Sequence, residues 1–229
     1  MTVTIDCGVR SRASARLAVF ASGAGSNFEA LARAGARGEL GGDVVVLLCD
    51  QPGAGVIERA RGLGIESLVL PSPRHRTRLD DEAPWLLALQ ERQVNVVLLA
   101  GFMRRLHATL LAPFGGRMLN IHPSLLPAFK GLDAIGQAFR AGVPVTGCTV
   151  HLVEDALDAG PILDQAEVAR RPDDTQAQLE ARIHEAEHAL YPATVRRFLT
   201  ERWRVDGARV RFGEGPGLGS LIGTAAGNG

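Results

Sequence analysis

The chain has 229 residues, 46% of them hydrophobic, with Lys plus Arg and Asp plus Glu both at 25; this is enough apolar material for a sizeable core in one domain. Balanced charge supplies no global basic field for nucleic acid or an anionic membrane surface, so an anionic ligand has to be held locally. Cys7, Cys49 and Cys148 are widely spaced and form no C-x-x-C pair, apolar runs such as 44–48 are too short to span a bilayer, and no signal-peptide core is present; a cytoplasmic protein without a disulfide framework is expected.

In chain order, residues 1–14 read as an amino-terminal extension. Strands are expected over 17–21, 44–49, 67–70, 94–99 and 118–121, rich in Val and Leu as strands buried on both faces should be. Helices are expected between them over 27–36, 53–63, 80–93 and a short 105–112, each bounded by glycine, proline or a polar cap. The alternation implies a Rossmann-like α/β fold, a mostly parallel sheet with helices on both faces. Further on, a helix over 134–141, extended runs over 146–153 and 162–169 and a long helix over 175–199 imply an antiparallel carboxy-terminal portion. One domain over 15–206 follows, with a glycine-rich, flexible tail over 207–229 that begins in a short ordered stretch.

Five segments carry polar groups suited to chemistry. Ser22-Gly23-Ala24-Gly25-Ser26-Asn27 lies between a strand and a helix, where glycines admit close backbone approach and the first helical amides point at an anion; an ordinary tight turn with Ser26 or Asn27 as cap is the alternative. The dinucleotide fingerprint wants a third glycine where Phe28 stands, although Asp50 could mimic its ribose-binding acid. Leu98 to Leu106 closes another strand with a glycine turn. Asn120-Ile121-His122-Pro123 sets an amide and an imidazole on one strand face, and Pro123 ends the strand where the pair is presented. Finally, Thr149, His151 and Val153 share a face ahead of a loop holding Glu154, Asp155 and Asp158, which spacing alone cannot rank. His184-Glu185-Ala186-Glu187-His188 satisfies the H-E-x-x-H zinc-protease pattern, with both histidines on one helix face.

The segment Asn120 to Pro127, with its neighbours, resembles the signature of the folate-dependent formyltransferases, and five segments between about 15 and 200 follow that family's order. The resemblance implies 10-formyltetrahydrofolate as formyl donor, the amine of glycinamide ribonucleotide as acceptor, purine synthesis as the setting and no metal. It assigns Asn120, His122 and Asp158 to catalysis, Gly25, Ser26, Asn27 and Glu187 to the substrate's phosphate and ribose, and Arg78, Met103, Arg104, Arg105, Leu106 and Asn120 to the folate, with His151 in support. Arg105 departs from the aliphatic residue often found there. The E-H-x-L-Y-P pattern matched by Glu187 to Pro192 competes with the zinc-protease reading of the same helix. Relatives acting on methionyl-tRNA start differently and carry another carboxy-terminal domain. A formyltetrahydrofolate hydrolase remains the alternative within the same chemistry, although such proteins carry an amino-terminal regulatory domain for which 1–14 leaves no room. A monomer or a homodimer fits equally.

The implied reaction passes through a tetrahedral intermediate with a negative oxygen, while the attacking amine loses a proton and the folate nitrogen gains one. Asn120 can donate to that oxygen. His122 can donate to it when protonated and can move a proton, and Asp158 would favour the imidazolium and order a relay water.

Overall fold

A computed structural model describes residues 15–70, 78–79 and 81–213; the expected extension over 1–14 and the tail from 214 onward lie outside the described residues. The elements are β1 (Ala15–Ala21), α1 (Ser26–Ala36), β2 (Gly42–Cys49), α2 (Gly55–Gly62), β3 (Glu66–Val69), α3 (Ala83–Glu91), β4 (Val96–Leu99), α4 (Ala108–Leu111), β5 (Met118–His122), α5 (Ala134–Ala141), β6 (Val145–Leu152), β7 (Ile162–Ala169), α6 (Gln176–Thr200), β8 (Trp203–Asp206) and β9 (Arg209–Phe212).

The nine strands of the described residues join one sheet in the order β3-β2-β1-β4-β5-β6-β7-β9-β8. The pairs from β3 through β5 are parallel, and β6 and β7 turn antiparallel. From β1 the chain winds outward to β3 and then crosses back to β4 on the other side of β1. Such a reversal opens a crevice at the carboxyl ends of the strands.

Strand alternation divides the core. Leu17, Val19, Ala21, Leu47, Leu98, Leu119 and Ile121 pack on one face with α1, α2, α5 and α6 residues such as Phe28, Leu31, Val56, Ile135 and Tyr191. Ala18, Phe20, Val46, Leu48, Val97, Leu99 and Met118 pack on the other with Trp85 and Leu89 of α3 and Leu110 of α4. Each fully buried Leu or Phe contributes roughly 1.5–3 kcal/mol relative to exposure. The long α6 opens with a capping box, Thr175 against Gln178. Tyr191 on α6, fully buried, directs its hydroxyl to the carbonyls of Leu99 and Leu119, both at 3.1 Å, and so ties the helix to β4 and β5.

Three details differ from the sequence pattern. Helix α4 starts at Ala108, because Arg105 forms an isolated parallel bridge with Arg78 and so holds the chain extended. Helix α3 starts at Ala83, with a proline in its first turn. The third is a hairpin: the short ordered stretch expected from 207 is β9, and it pairs with β8, for which the pattern gave no strand; Gly207, at φ 57°, turns the chain, and Trp203 pairs with Phe212. Trp203 stacks on Phe198, and Arg197 lies over the Phe212 ring at 4.0 Å.

Candidate active site

A cleft of about 670 Å³ occupies the crevice, lined from the glycine loop after β1, the turn after β4, the end of β5, the loops before α5 and after β6, and one face of α6. This volume suits a small-molecule site.

The glycine loop forms one end. Gly25 caps α1 in the left-handed region at φ 81°, and a Cβ there would come within 2.8 Å of Val56 Cα. Only glycine fits that combination. Asn27 donates from Nδ2 to Glu187 Oε2 at 2.7 Å across to α6, while its Oδ1 is buried without a partner. Burial pushes the Glu187 carboxyl up to about 7, although the Asn27 hydrogen bond opposes the shift. Gln176, Glu180 and His184 of α6 also line the cleft; the sequence pattern carries no ligand signal for Gln176 or Glu180, and for His184 only that of a zinc ligand in the protease alternative.

Met103, Arg104, Arg105 and Leu106 also line the cleft. Met103 is exposed on the rim and Leu106 is buried. Arg104 turns its guanidinium into the protein, donating from Nε to Asp50 Oδ2 at 2.6 Å with both side chains nearly fully buried. Burial pushes the Asp50 carboxyl up, but hydrogen bonds from Ser22, Gln51 and Arg104 outweigh it and leave it below the usual carboxylate range. Asp50 therefore anchors an arginine rather than presenting itself to a ribose. Ser22 also accepts the Met103 amide at 3.0 Å, which joins the glycine loop to the turn after β4. Arg78 is exposed beside Arg105 and lies outside the lining of the cleft.

Asn120 and His122 stand at the end of β5, as strand alternation and Pro123 require. His122 Nε2 lies 2.9 Å from the Phe129 carbonyl. A carbonyl can only accept, so Nε2 carries the hydrogen and Nδ1 of the neutral ring is free to take a proton. That Nδ1 faces Asp158 Oδ2 at 3.6 Å. Asp158 is thus the acid of the loop that meets the imidazole, whereas Glu154 and Asp155 line the cleft wall and Asp155 offers its carbonyl to Arg105. Asp158 Oδ2 also accepts the Gly131 amide at 2.7 Å, and the Asp158 backbone sits at φ 48°. Non-glycine residues enter that region at a cost of roughly 1–3 kcal/mol, held there by their surroundings. Beside the pair, Thr149 and Gln165 bind the backbone of Ser124 and Leu126 and so fix the loop after His122.

The geometry of α6 bears on the zinc-protease pattern. The His184 and His188 rings stack with centroids 6.5 Å apart, Glu185 is exposed, and Glu187 faces Asn27. Among the described residues, no group of three or more His, Cys, Asp and Glu side chains is gathered as metal ligands. Nor is any described helix long and apolar enough to cross a membrane.

Comparison with known proteins bears on the same residues. The sequence profile of the family described as formyl transferase matches residues 15–195. The chain belongs to the formyl transferase family. Within it, the phosphoribosylglycinamide formyltransferase of Bacillus subtilis (strain 168) is 44% identical over 184 residues, which cover 80% of this chain and 94% of that protein. The crystal structure of glycinamide ribonucleotide transformylase 1 from Geobacillus kaustophilus is 48% identical and superposes with a TM-score of 0.77 over 82% of this chain and 100% of that one. The enzyme of the same name from Symbiobacterium toebii is 40% identical, with a TM-score of 0.83 over 87% and 94%. The family match spans the glycine loop, both strand ends and most of α6, so every group lining the cleft lies inside it.

Two contributors had weak sequence signals. A buried Asp50 at a strand end demands a cation, and the paired arginines after β4 were the available source. Ser22 had no signal beyond its place in the glycine loop.

Proposed function

We propose that this formyl transferase moves the formyl group of 10-formyltetrahydrofolate to the amine of glycinamide ribonucleotide, giving the formylated ribonucleotide and tetrahydrofolate. The observation that carries the reading is the gathering of Asn120, His122 and Asp158 in one cleft with the glycine loop and the turn after β4, with His122 and Asp158 facing each other. The 44% identity to a relative bearing that activity in its name supports the choice of acceptor.

Amides at Gly25, Ser26 and Asn27 and the start of α1 would hold the nucleotide phosphate, with Glu187 accepting from a ribose hydroxyl when ionised. Backbone groups from Met103 to Leu106, with the Met103 side chain on the rim, would hold the pterin and aim its formyl group at Asn120. The substrate nitrogen forms its bond to the formyl carbon, and Asn120 donates an N–H to the oxygen that becomes negative. His122 takes the amine proton at Nδ1, where Asp158 stabilises the imidazolium. The proton passes, through a water beside Asp158, to the folate nitrogen as its bond to carbon breaks. No covalent enzyme intermediate is needed.

Absorbance at the tetrahydrofolate product, with and without glycinamide ribonucleotide, tests the reading. Turnover that requires the nucleotide and falls in His122→Ala and Asp158→Asn is expected. Turnover indifferent to the nucleotide would make the chain a hydrolase, full activity in both variants would remove the mechanism, and nucleotide binding without transfer would leave a phosphate-binding module.

A further inference from the structure

We propose that His151 is a positioning residue: its neutral ring, accepting at Nε2, sets which way the Asn120 amide faces and hence whether the cleft holds an N–H for the developing oxyanion. The inference rests on the formyl-transfer reading and deepens it.

His151 is paired with Asn120 across β5 and β6, is 3% exposed, and places Nδ1 2.8 Å from the Leu152 carbonyl. That oxygen can only accept, so Nδ1 bears the hydrogen. In a neutral ring Nε2 then has only its lone pair. The Asn120 atom 3.1 Å from Nε2 is Nδ2, which must donate. One of the two amide hydrogens is thereby used, and the second is left for the cleft that Asn120 lines. An asparagine amide is symmetric in shape, so packing alone holds its two orientations with little preference; the direction of this hydrogen bond selects one.

Protonation would reverse that selection. With hydrogens on both ring nitrogens, Nε2 becomes a donor and attracts Oδ1 of Asn120 instead of Nδ2. The N–H is then withdrawn from its place, and the oxyanion loses a donor while substrate binding elsewhere in the cleft is untouched. The groups facing the ring set the balance. Burial disfavours the charge most, His122 on β5 and Lys130 on the following loop disfavour it too, and Asp158, with Oδ1 3.8 Å from Nε2, favours it. Opposite on β7 stands Ile162, which does not titrate. The net result is a His151 held below its ordinary value, neutral at physiological pH.

Imidazole ¹⁵N spectra of the uniformly labelled wild-type protein, assigned by comparison with His151→Gln, test the tautomer directly. A protonated Nδ1 and a bare Nε2 are expected at pH 7.5; a hydrogen on Nε2 would overturn the inference. In the kinetic arm, His151→Leu is expected to lower kcat about 10- to 100-fold, with KM for both substrates within about threefold. His151→Gln, whose Oε1 can still accept from Asn120, is expected to regain most of that loss and to weaken the acid limb of the kcat profile. A Leu variant within twofold of wild type, or a Gln variant no better than Leu, would also overturn it. If the wild type itself fails to formylate the nucleotide, the functional reading falls while the nitrogen spectrum still tests the tautomer.

Discussion

The two ends of the cleft are built on different principles. At the glycine-loop end, the groups proposed to hold the phosphate are backbone amides, and their positions follow from a strand, a left-handed Gly25 and the first turn of α1, all within a few residues. At the end proposed as catalytic they are side chains, and each has a partner distant in sequence: Asp158 for His122, which the nearer Phe129 also holds, His151 for Asn120, and Gly131 for Asp158. The contrast teaches where damage should appear. Changes at the first end should disturb stability and nucleotide affinity, and changes at the second should disturb turnover.

The largest test lies between the ends. Arg104→Met strips the cation from Asp50, which is fully buried, and should cost about 3–5 kcal/mol in urea unfolding; a much smaller loss would mean that Ser22 and Gln51 suffice and that the ends are less firmly joined. Asn120→Ala should lower kcat roughly 100- to 1,000-fold with an unchanged melting temperature. Next comes Glu187→Gln, which keeps an oxygen for Asn27 but removes the buried charge. Because the folded carboxyl titrates near 7 against an ordinary 4.5, its contribution to stability is greatest below 4.5 and is lost as pH rises through 7, on the order of 3 kcal/mol in all. The Gln variant should therefore be more stable than wild type at pH 8 and show a flatter stability profile between pH 5 and 8. Gly25→Ala should cost about 1–3 kcal/mol and raise KM for the nucleotide with little change in kcat; a kcat defect instead would blur the distinction. Met103→Ala, on the exposed rim, should change stability by no more than about 0.5 kcal/mol and act only on folate KM.

Much of the parallel half was legible in the sequence because its signals are local: apolar runs for β1, β2, β4 and β5, punctuated by glycine and proline. The polar pair at Asn120 and His122 was legible too, since strand period and Pro123 act on neighbouring residues. Asp158 could not be ranked above Glu154 and Asp155 by spacing, because what distinguishes it is a contact with a strand 36 positions earlier. The inward turn of the Arg104 guanidinium was hidden for a similar reason: only the tertiary fold brings Asp50, 54 positions earlier, against it. The β8–β9 hairpin was hidden by the glycines that follow, although Asp206-Gly207 between alternating Trp203, Val205, Val210 and Phe212 is a hairpin signal in its own right.

Among the described residues, four non-glycine positions take positive φ, and two of them, Phe129 and Asp158, contact His122, while a third, Asp133, lines the same cleft. The Phe129 carbonyl holds His122, and Asp158 meets it from the other side. An effort to make this protein withstand heat would be drawn to such positions, since glycine there relieves backbone strain. The slack would be taken up by the loops that aim the imidazole, so variants selected for surviving a boil should include slow ones.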